Sequence, residues 1–478
     1  MRIAALALPF SLIAGFAAAE ATPEGATALT TTLQTYLGAT DGVVTVTPAG
    51  DLYQVKLDFA PLLAKAPAEV KSSATPIEFT LTDNGDGTWE MAQDQSLAFS
   101  LTVPGQADIA VKVGNLAGTG TFDTSLGAFT TSSTKASDIA VTEKITDPNG
   151  MATDVAYAVN SVSYESTAKA GAAGVDTTTT YAMEGLSETF TMPGMGPEPM
   201  PLTLTAESST GDATVTGMRP DAIYKLIAFF VANPEEAAIV AQQATLKGII
   251  KDGMPLFDHL GSTSAITAVS VGSPMGPVSL SDMTVSVELN GLVEKGLFRE
   301  AFALNGLVLP EGIVPDWAAN LVPQSVSVDF SASRFNLAAP AAILLETLDL
   351  ANPKPNTPEQ DAALLAALLP DGVVDLTLAP GSITAPIYTV AYEGALTFGP
   401  ETTMPVGKAK LTATGITAVK QALAAAPPEM GGQITPMLGM AEAMAKPGAD
   451  GALVWELETT AAGGFLVNGT DMLGMGGN

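Results

Sequence analysis

Few side chains in this 478-residue sequence are of the kind that carries chemistry, and cysteine is absent. Without a thiol there is no disulfide, no thiolate metal ligand and no cysteine nucleophile. His259 is the single histidine. A catalytic zinc takes three protein ligands, commonly histidine-rich, which one imidazole cannot supply. A Ser-His-Asp triad needs a serine at an exposed elbow, and no G-x-S-x-G stretch occurs. His259 follows a predicted helix in Phe257-Asp258-His259-Leu260-Gly261, which places it as a helix-terminal imidazole against the carbonyl end of the dipole.

Two S-x-x-K pairs, Ser132 with Lys135 and Ser166 with Lys169, have the spacing that joins hydroxyl and amine on one helical turn in penicillin-binding enzymes. Both lie in Ser/Thr/Ala/Gly-rich stretches with no K-T-G partner, and coincidence accounts for them. Asp83 to Glu90 has the flavour of a calcium loop, but counting from Asp83 puts Gly85 and Gly87 at the third and fifth ligand positions. Asn84-Gly85-Asp86-Gly87 reads better as a hairpin turn, because asparagine and glycine tolerate positive φ. Methionines cluster at Met192, Met195 and Met200, at Met437, Met440 and Met444 on one face of a predicted helix, and at Met472 and Met475. Thioethers are soft ligands for Cu(I) and also flexible core fillers; packing is their commoner use. No phosphate-cradling glycine loop or dinucleotide fingerprint appears. The sequence thus assigns no catalytic, cofactor-binding or metal-ligating residue.

The elements that would position any site are mostly strands. Leu97, Phe99, Leu101 and Val103 alternate with Ala98, Ser100 and Thr102; Met283 to Leu289 and Val326 to Phe330 repeat the pattern. So do Val55–Phe59, Ile77–Leu81, Ile109–Val113 and Val155–Tyr164. Period two puts one apolar and one polar face on each strand, the signature of antiparallel sheet with one face buried. Phe99→Asp is therefore expected to bury a charge at a cost of several kcal/mol. Pro220 opens a helix with a stripe of Ile223, Leu226, Ile227, Phe230 and Val231. Asn233-Pro234 ends it and starts another that stops near Gly253. A third helix is predicted over 292–304, and Thr357-Pro358-Glu359-Gln360 forms a capping box before Leu364 to Leu369. Shorter helices are expected at 341–348, 417–426 and 435–446, with the helices over 221–251 and 358–369 packed on sheet by their leucine and isoleucine faces. The fold class is β-rich α+β: a long, mainly antiparallel curved sheet with several packed helices in the second half. A strand-rich part, 20–217, is followed by a mixed part, 218–478, in one continuous elongated body.

Fifty acidic against 20 basic residues give a net charge of −30, and the closest basic pair is Lys408 with Lys410. Nucleic acid and anionic headgroups need concentrated Lys/Arg, so neither is an expected partner. Arg2 precedes an apolar run from Ile3 to Ala18, and Ala17 and Ala19 fit the A-x-A pattern of signal cleavage before Glu20. The run is shorter than the ~20 residues of a membrane span, and no later stretch is longer.

Leu321-Val322-Pro323-Gln324-Ser325-Val326-Ser327-Val328-Asp329-Phe330, with Gly451 to Glu458 and Gly464-Phe465-Leu466-Val467-Asn468-Gly469, resembles a bacterial exported family catalogued as domain of unknown function 2125. A looser likeness is to AsmA-like envelope proteins, whose sheets form lipid grooves. The resemblance implies an exported β-rich fold and transfers no catalytic residue.

These readings point to a non-enzymatic periplasmic protein with lipid or another apolar molecule, or other envelope proteins, as partners. The alternatives are a structural or scaffolding envelope protein and a carboxylate-based hydrolase of envelope polymers. The mature protein is expected to start at Glu20 in the soluble periplasmic fraction. N-terminal sequencing of native material checks this, and an intact Met1 end in the membrane fraction would refute it.

Overall fold

A computed structural model of the chain describes residues 20–146, 152–192, 200–399 and 404–472. It is β-rich, 52% strand, with an antiparallel, curved and unclosed sheet. The chain divides into two compact units, residues 1–260 with 344–355, and residues 261–343 with 356–478.

The first unit opens with a helix that period-two reading overlooks. Thr22 caps α1 (Pro23–Leu37) by accepting from Gly25 N at 3.0 Å, and Pro23 and Glu24 suit its first turn. Leu29 and Leu33, four apart, are fully buried. They join Val44, Tyr53, Val55, Leu57, Phe79, Leu81, Trp89 and Phe122 in one core. These come from β1 (Val44–Ala49), β2 (Leu52–Leu57), β4 (Ile77–Asp83), β5 (Thr88–Val103) and β6 (Ala107–Asp123); a short α2 (Ala60–Leu63) and β3 (Lys71–Ala74) intervene. β1 pairs with β2, β2 with β4, and β4 with β5, whose far end is edged by β3. From β5 the chain makes a strict meander through β6, β7 (Ala128–Thr146), β8 (Ala152–Ala170), β9 (Val175–Met192) and β10 (Met200–Met218).

The turn between β4 and β5 forms as expected. Gly85 and Gly87 have positive φ, and Asp83 Oδ1 accepts from Gly85 N at 2.8 Å. Asp86 Oδ1 accepts from the Thr88 hydroxyl at 2.6 Å and Thr88 N at 3.0 Å, which holds its carboxyl below the usual range.

α3 (Pro220–Ala232), α4 (Glu236–Ala241) and α5 (Gln243–Gly253) follow β10. The buried side of α3 is not the expected stripe: Ala222, Tyr224 and Phe229 are buried, while Ile227 and Phe230 are 39% and 47% exposed. The reason is helix-on-helix packing. A Cβ on Gly253 of α5 would lie 2.5 Å from that of Ala222, and Tyr224 meets Tyr36 of α1 edge-on at 6.1 Å.

The second unit contains β11 (His259–Gly272, from Gly261 on), β12 (Val278–Asn290), β13 (Gly296–Asn305) and β14 (Ser325–Phe335). α6 (Ala338–Thr347) leads into 344–355, and α7 (Pro358–Leu368) leads back to β15 (Val374–Ala385), β16 (Tyr388–Phe398) and β17 (Val406–Thr414). Then come α8 (Ile416–Ala424), α9 (Pro428–Met444), β18 (Lys446–Pro447), β19 (Leu453–Thr459), β20 (Phe465–Val467) and β21 (Thr470–Asp471). β12 to β17 pair in sequence and β19 adds to β17. The helix predicted over 292–304 is instead β13. Phe298, Phe302 and Leu304 alternate onto one face there, and Arg299 on the other bridges Glu288 of β12 and Asp329 of β14, at 2.8 Å to the latter. Those hydrogen bonds hold the Arg299 guanidinium well above its usual range, and pairing on both sides overrides a helix-forming composition. α7 has the full capping box at Thr357 and Gln360; Leu364 and Leu368 are half-buried, while Leu365 is 44% exposed, so its leucine face is only partly covered.

Two stability measurements check this packing. Tyr224 is 8% exposed and its hydroxyl donates to Gly127 O at 2.6 Å; burial foremost, then Tyr36 and Asp221, pushes its phenol up to about 12. The folded state keeps a proton that the unfolded chain releases near pH 10, so this stability is whole below pH 10 and is lost as pH rises to about 12. Tyr224→Phe should shrink the alkaline loss seen by urea unfolding by about 3 kcal/mol. Phe122, fully buried and edge-on to Phe129 at 5.3 Å, should cost about 3–5 kcal/mol on truncation to Ala. Phe99 is only half-buried, contrary to expectation, so Phe99→Asp keeps contact with water and should cost less than Phe122→Ala.

Candidate functional site

The long strands of the first unit share one transverse crease. Strand pairing skips Gly114 against Asp138, Asp138 against Asn160, and Gly185 against Glu207, all at one level across β6 to β10. Between β5 and β6 the register slips there, from Gln95–Leu116 to Leu97–Val113. Asp138 and Gly185 take positive φ, which aspartate and glycine tolerate. A Cβ on Gly114 would lie 2.7 Å from that of Asp138, and one on Gly185 only 2.0 Å from Asn160 Nδ2. From β6 to β10 the register is kept across these gaps, while the alternation of exposed and covered side chains along each strand changes phase there.

Beyond the crease, one face is almost wholly apolar. Register places Leu97, Phe99, Leu101 and Val103 beside Val113, Val111 and Ile109, then Ile139, Val141 and Ile145. Val159, Tyr157 and Val155 continue it, then Leu186 and Phe190, then Ala206, Leu204 and Leu202. Glu143, Glu188 and Thr153 are its polar interruptions. Val159 and Val113 near the crease are 2% and 8% exposed, Ile145 at the far end is 44% exposed, and most of the others are half-buried. The reverse face, with Ala98, Lys112, Thr142, Lys144 and Asp154, is in water.

On the near side of the crease the reverse face carries a row of hydroxyls. Thr121, Thr131, Thr167, Thr178 and Thr214 stand opposite one another on five successive strands, and Glu90 continues the row on β5. Thr119, Ser133, Glu165, Thr180 and Asp212 form the next row. A depression of about 400 Å³ lies over the β5 to β9 members of these rows. Glu90 and Glu165 both border it and both are exposed. Their backbones are three strand spacings apart, roughly 14 Å, and neither is desolvated as a general acid must be, so this pair does not form a glycosidase couple.

Of the residues singled out by sequence, Ser132 and Ser166 border the depression and the others fall elsewhere. Ala17 and Ala19 lie outside the described residues; Glu20 is exposed just before α1. Ser132 and Lys135 are on β7 and Ser166 and Lys169 on β8; three residues along a strand put hydroxyl and amine on opposite faces. His259 is not helix-terminal: α5 ends at Gly253, and His259 is the first residue of β11. Met437 and Met440 on α9 are 67% and 62% exposed beside Ile434, so they do not fill a core; Met444 is half-buried. Met195 and Met475 lie outside the described residues, and Met192 and Met200 pair in register at the ends of β9 and β10. Among the described residues no group of three metal-binding His, Asp or Glu side chains occurs, and no helix is long and apolar enough to cross a membrane. The three described arginines are all committed to carboxylates: Arg219 to Asp258 at 3.1 Å, Arg299 to Asp329 and Glu288, and Arg334 to Asp371 and Asp375 at 3.4 Å.

Neither the crease nor the hydroxyl row was found from sequence. Both depend on register between residues some 10–40 apart, although the glycines and Asx residues at the crease are its visible trace. Comparison with protein-family models, curated proteins and solved structures gives no match to this chain.

The crease predicts a sharp local sensitivity. Gly185→Val should lower stability by about 1–3 kcal/mol, because a side chain at φ 67° is strained and would strike Asn160. Denaturant unfolding measures it, and a neutral result would mean the crease is not fixed by close contact.

Proposed function

We propose that this chain is a non-catalytic protein of the bacterial envelope, exported by its N-terminal segment to the periplasm, that holds lipid or another apolar molecule on the apolar half of its long-strand sheet. The observation that carries the reading is the largely apolar face beyond the crease, spanning six strands, interrupted only at Glu143, Thr153 and Glu188, and only half covered. Patches of that extent on a water-facing protein mark ligand or partner sites. Burying them against an acyl chain gains ~25 cal/mol per Å². With every described arginine paired and a net charge of −30, the ligand is gripped through its hydrocarbon and not through an anionic headgroup.

Native mass spectrometry and solvent extraction of protein purified from its own envelope test this reading. Bound lipid or a comparable apolar molecule is expected, and it should be lost from a Val111→Asp, Val141→Asp double variant whose far-ultraviolet spectrum is unchanged. A ligand-free mass for the unaltered protein would leave a structural role as the better account.

A further inference from the structure

We propose that the hydroxyl-lined depression on the reverse face is a second binding site, for a neutral oligosaccharide. The site shares no lining residue with the apolar face. The site is a lattice: Thr121, Thr131, Thr167 and Thr178 stand in one cross-strand row, about 4.8 Å from strand to strand. The row is already linked at one end, where Thr131 Oγ1 donates to Thr121 Oγ1 at 3.2 Å and Thr121 Oγ1 donates to Glu90 Oε1 at 2.9 Å. Thr131, Thr167 and Thr178 point into water. A volume of about 400 Å³ is within the ~300–1,000 Å³ range of small-molecule sites.

The chemistry of the lining selects the ligand by elimination. No lining residue is basic, and Glu90 and Glu165 add negative charge, so phosphates, sulfates and acidic sugars are repelled. Hydroxyls line it where an apolar ligand would need hydrocarbon. The two carboxylates are too far apart to share one cation, and no cluster of three carboxylates occurs among the described residues. What remains is an uncharged molecule with many hydroxyls. Each threonine offers one donor and two acceptors, and each carboxylate accepts from two donors, which matches adjacent hydroxyls on a sugar ring. The threonine methyl groups beside those hydroxyls supply contact for the ring's C–H faces. None of the residues lining the depression is aromatic, so binding rests on hydrogen bonds that compete with water, and the affinity belongs in the millimolar range, ~4 kcal/mol.

Cross-strand Thr–Thr pairs also stabilise sheets, so the test must separate the two roles. Thr131→Val with Thr167→Val removes two hydroxyls at constant shape and keeps the β-branch that strands favour. The full chain is titrated with maltohexaose, cellohexaose and chitohexaose while backbone amide shifts are followed by NMR. At least one sugar should give saturable shifts centred on Thr121, Thr131, Thr167 and Thr178, and the double variant should bind it roughly tenfold more weakly or worse with an unchanged melting temperature. Glu165→Gln, which keeps its acceptor, should retain most of the binding. Absence of saturable shifts with all three sugars, shifts centred elsewhere, or equal binding by the double variant would each overturn the proposal.

Discussion

The long-strand sheet depends on one constraint, the close contact at its crease. Gly114 against Asp138 and Asn160 against Gly185 leave no room for another side chain, and two of the four residues take positive φ. In a strand the side-chain period is two, so a change of phase reverses every face beyond it. β6 to β10 all make that reversal at the same level, which is why the apolar face beyond the crease stays continuous from strand to strand. A strand that failed to change phase would have set Val141 or Val159 into water and Thr142 or Ala158 into the apolar surface. The crease therefore decides where hydrocarbon is presented and where the threonine row lies.

Stability and surface chemistry are distributed unequally around this line. On the inner side of the crease, at the ends of β5 and β6 farthest from it, Trp89 and Phe122 join Leu29 and Leu33 of α1 in one buried cluster. Beyond it, burial is partial everywhere except at residues such as Val113 and Val159. A rigid, capped end and a half-covered end are joined by the same strands. The charge pattern follows a related logic. Every described arginine is neutralised by carboxylates, so the field of the protein is set by its surplus of acid. Acidity favours solubility and uncharged ligands on either face.

Much of this architecture was legible in the sequence. Alternation from Leu97 to Val103 and from Met283 to Leu289 marked true strands, Asn84 to Gly87 marked a true hairpin turn, and Thr357 to Gln360 a true capping box. The failures have distinct causes. β13 was hidden because Leu292 to Leu304 favours helix in isolation, and only neighbours on both sides, with Arg299 between Glu288 and Asp329, make it a strand. α1 did carry the Thr22-Pro23-Glu24 signal, a capping threonine followed by proline and an acid, but it directly follows the apolar run from Ile3 to Ala18. The buried side of α3 follows from contact with α1 and α5, which periodicity within α3 cannot report. The hydroxyl row is further removed still, since Thr121 and Thr214 become members of one line only through four successive registers.

The strict meander from β5 to β10 has a consequence for how this unit reaches its folded state. Each strand finds its partner in the adjacent segment of chain, across a hairpin and not across the whole domain. Loop-closure entropy per added strand is therefore small, and contact order is low for a sheet of such long strands. Growth can proceed by hairpin after hairpin, each new strand reading its alignment from the one before. In that process the crease acts as a checkpoint for register: a strand offset by one residue would press a side chain onto Gly114 or Gly185 and could not zip past it. A chain that folds in the order of its synthesis, amino terminus first, would meet that checkpoint strand by strand.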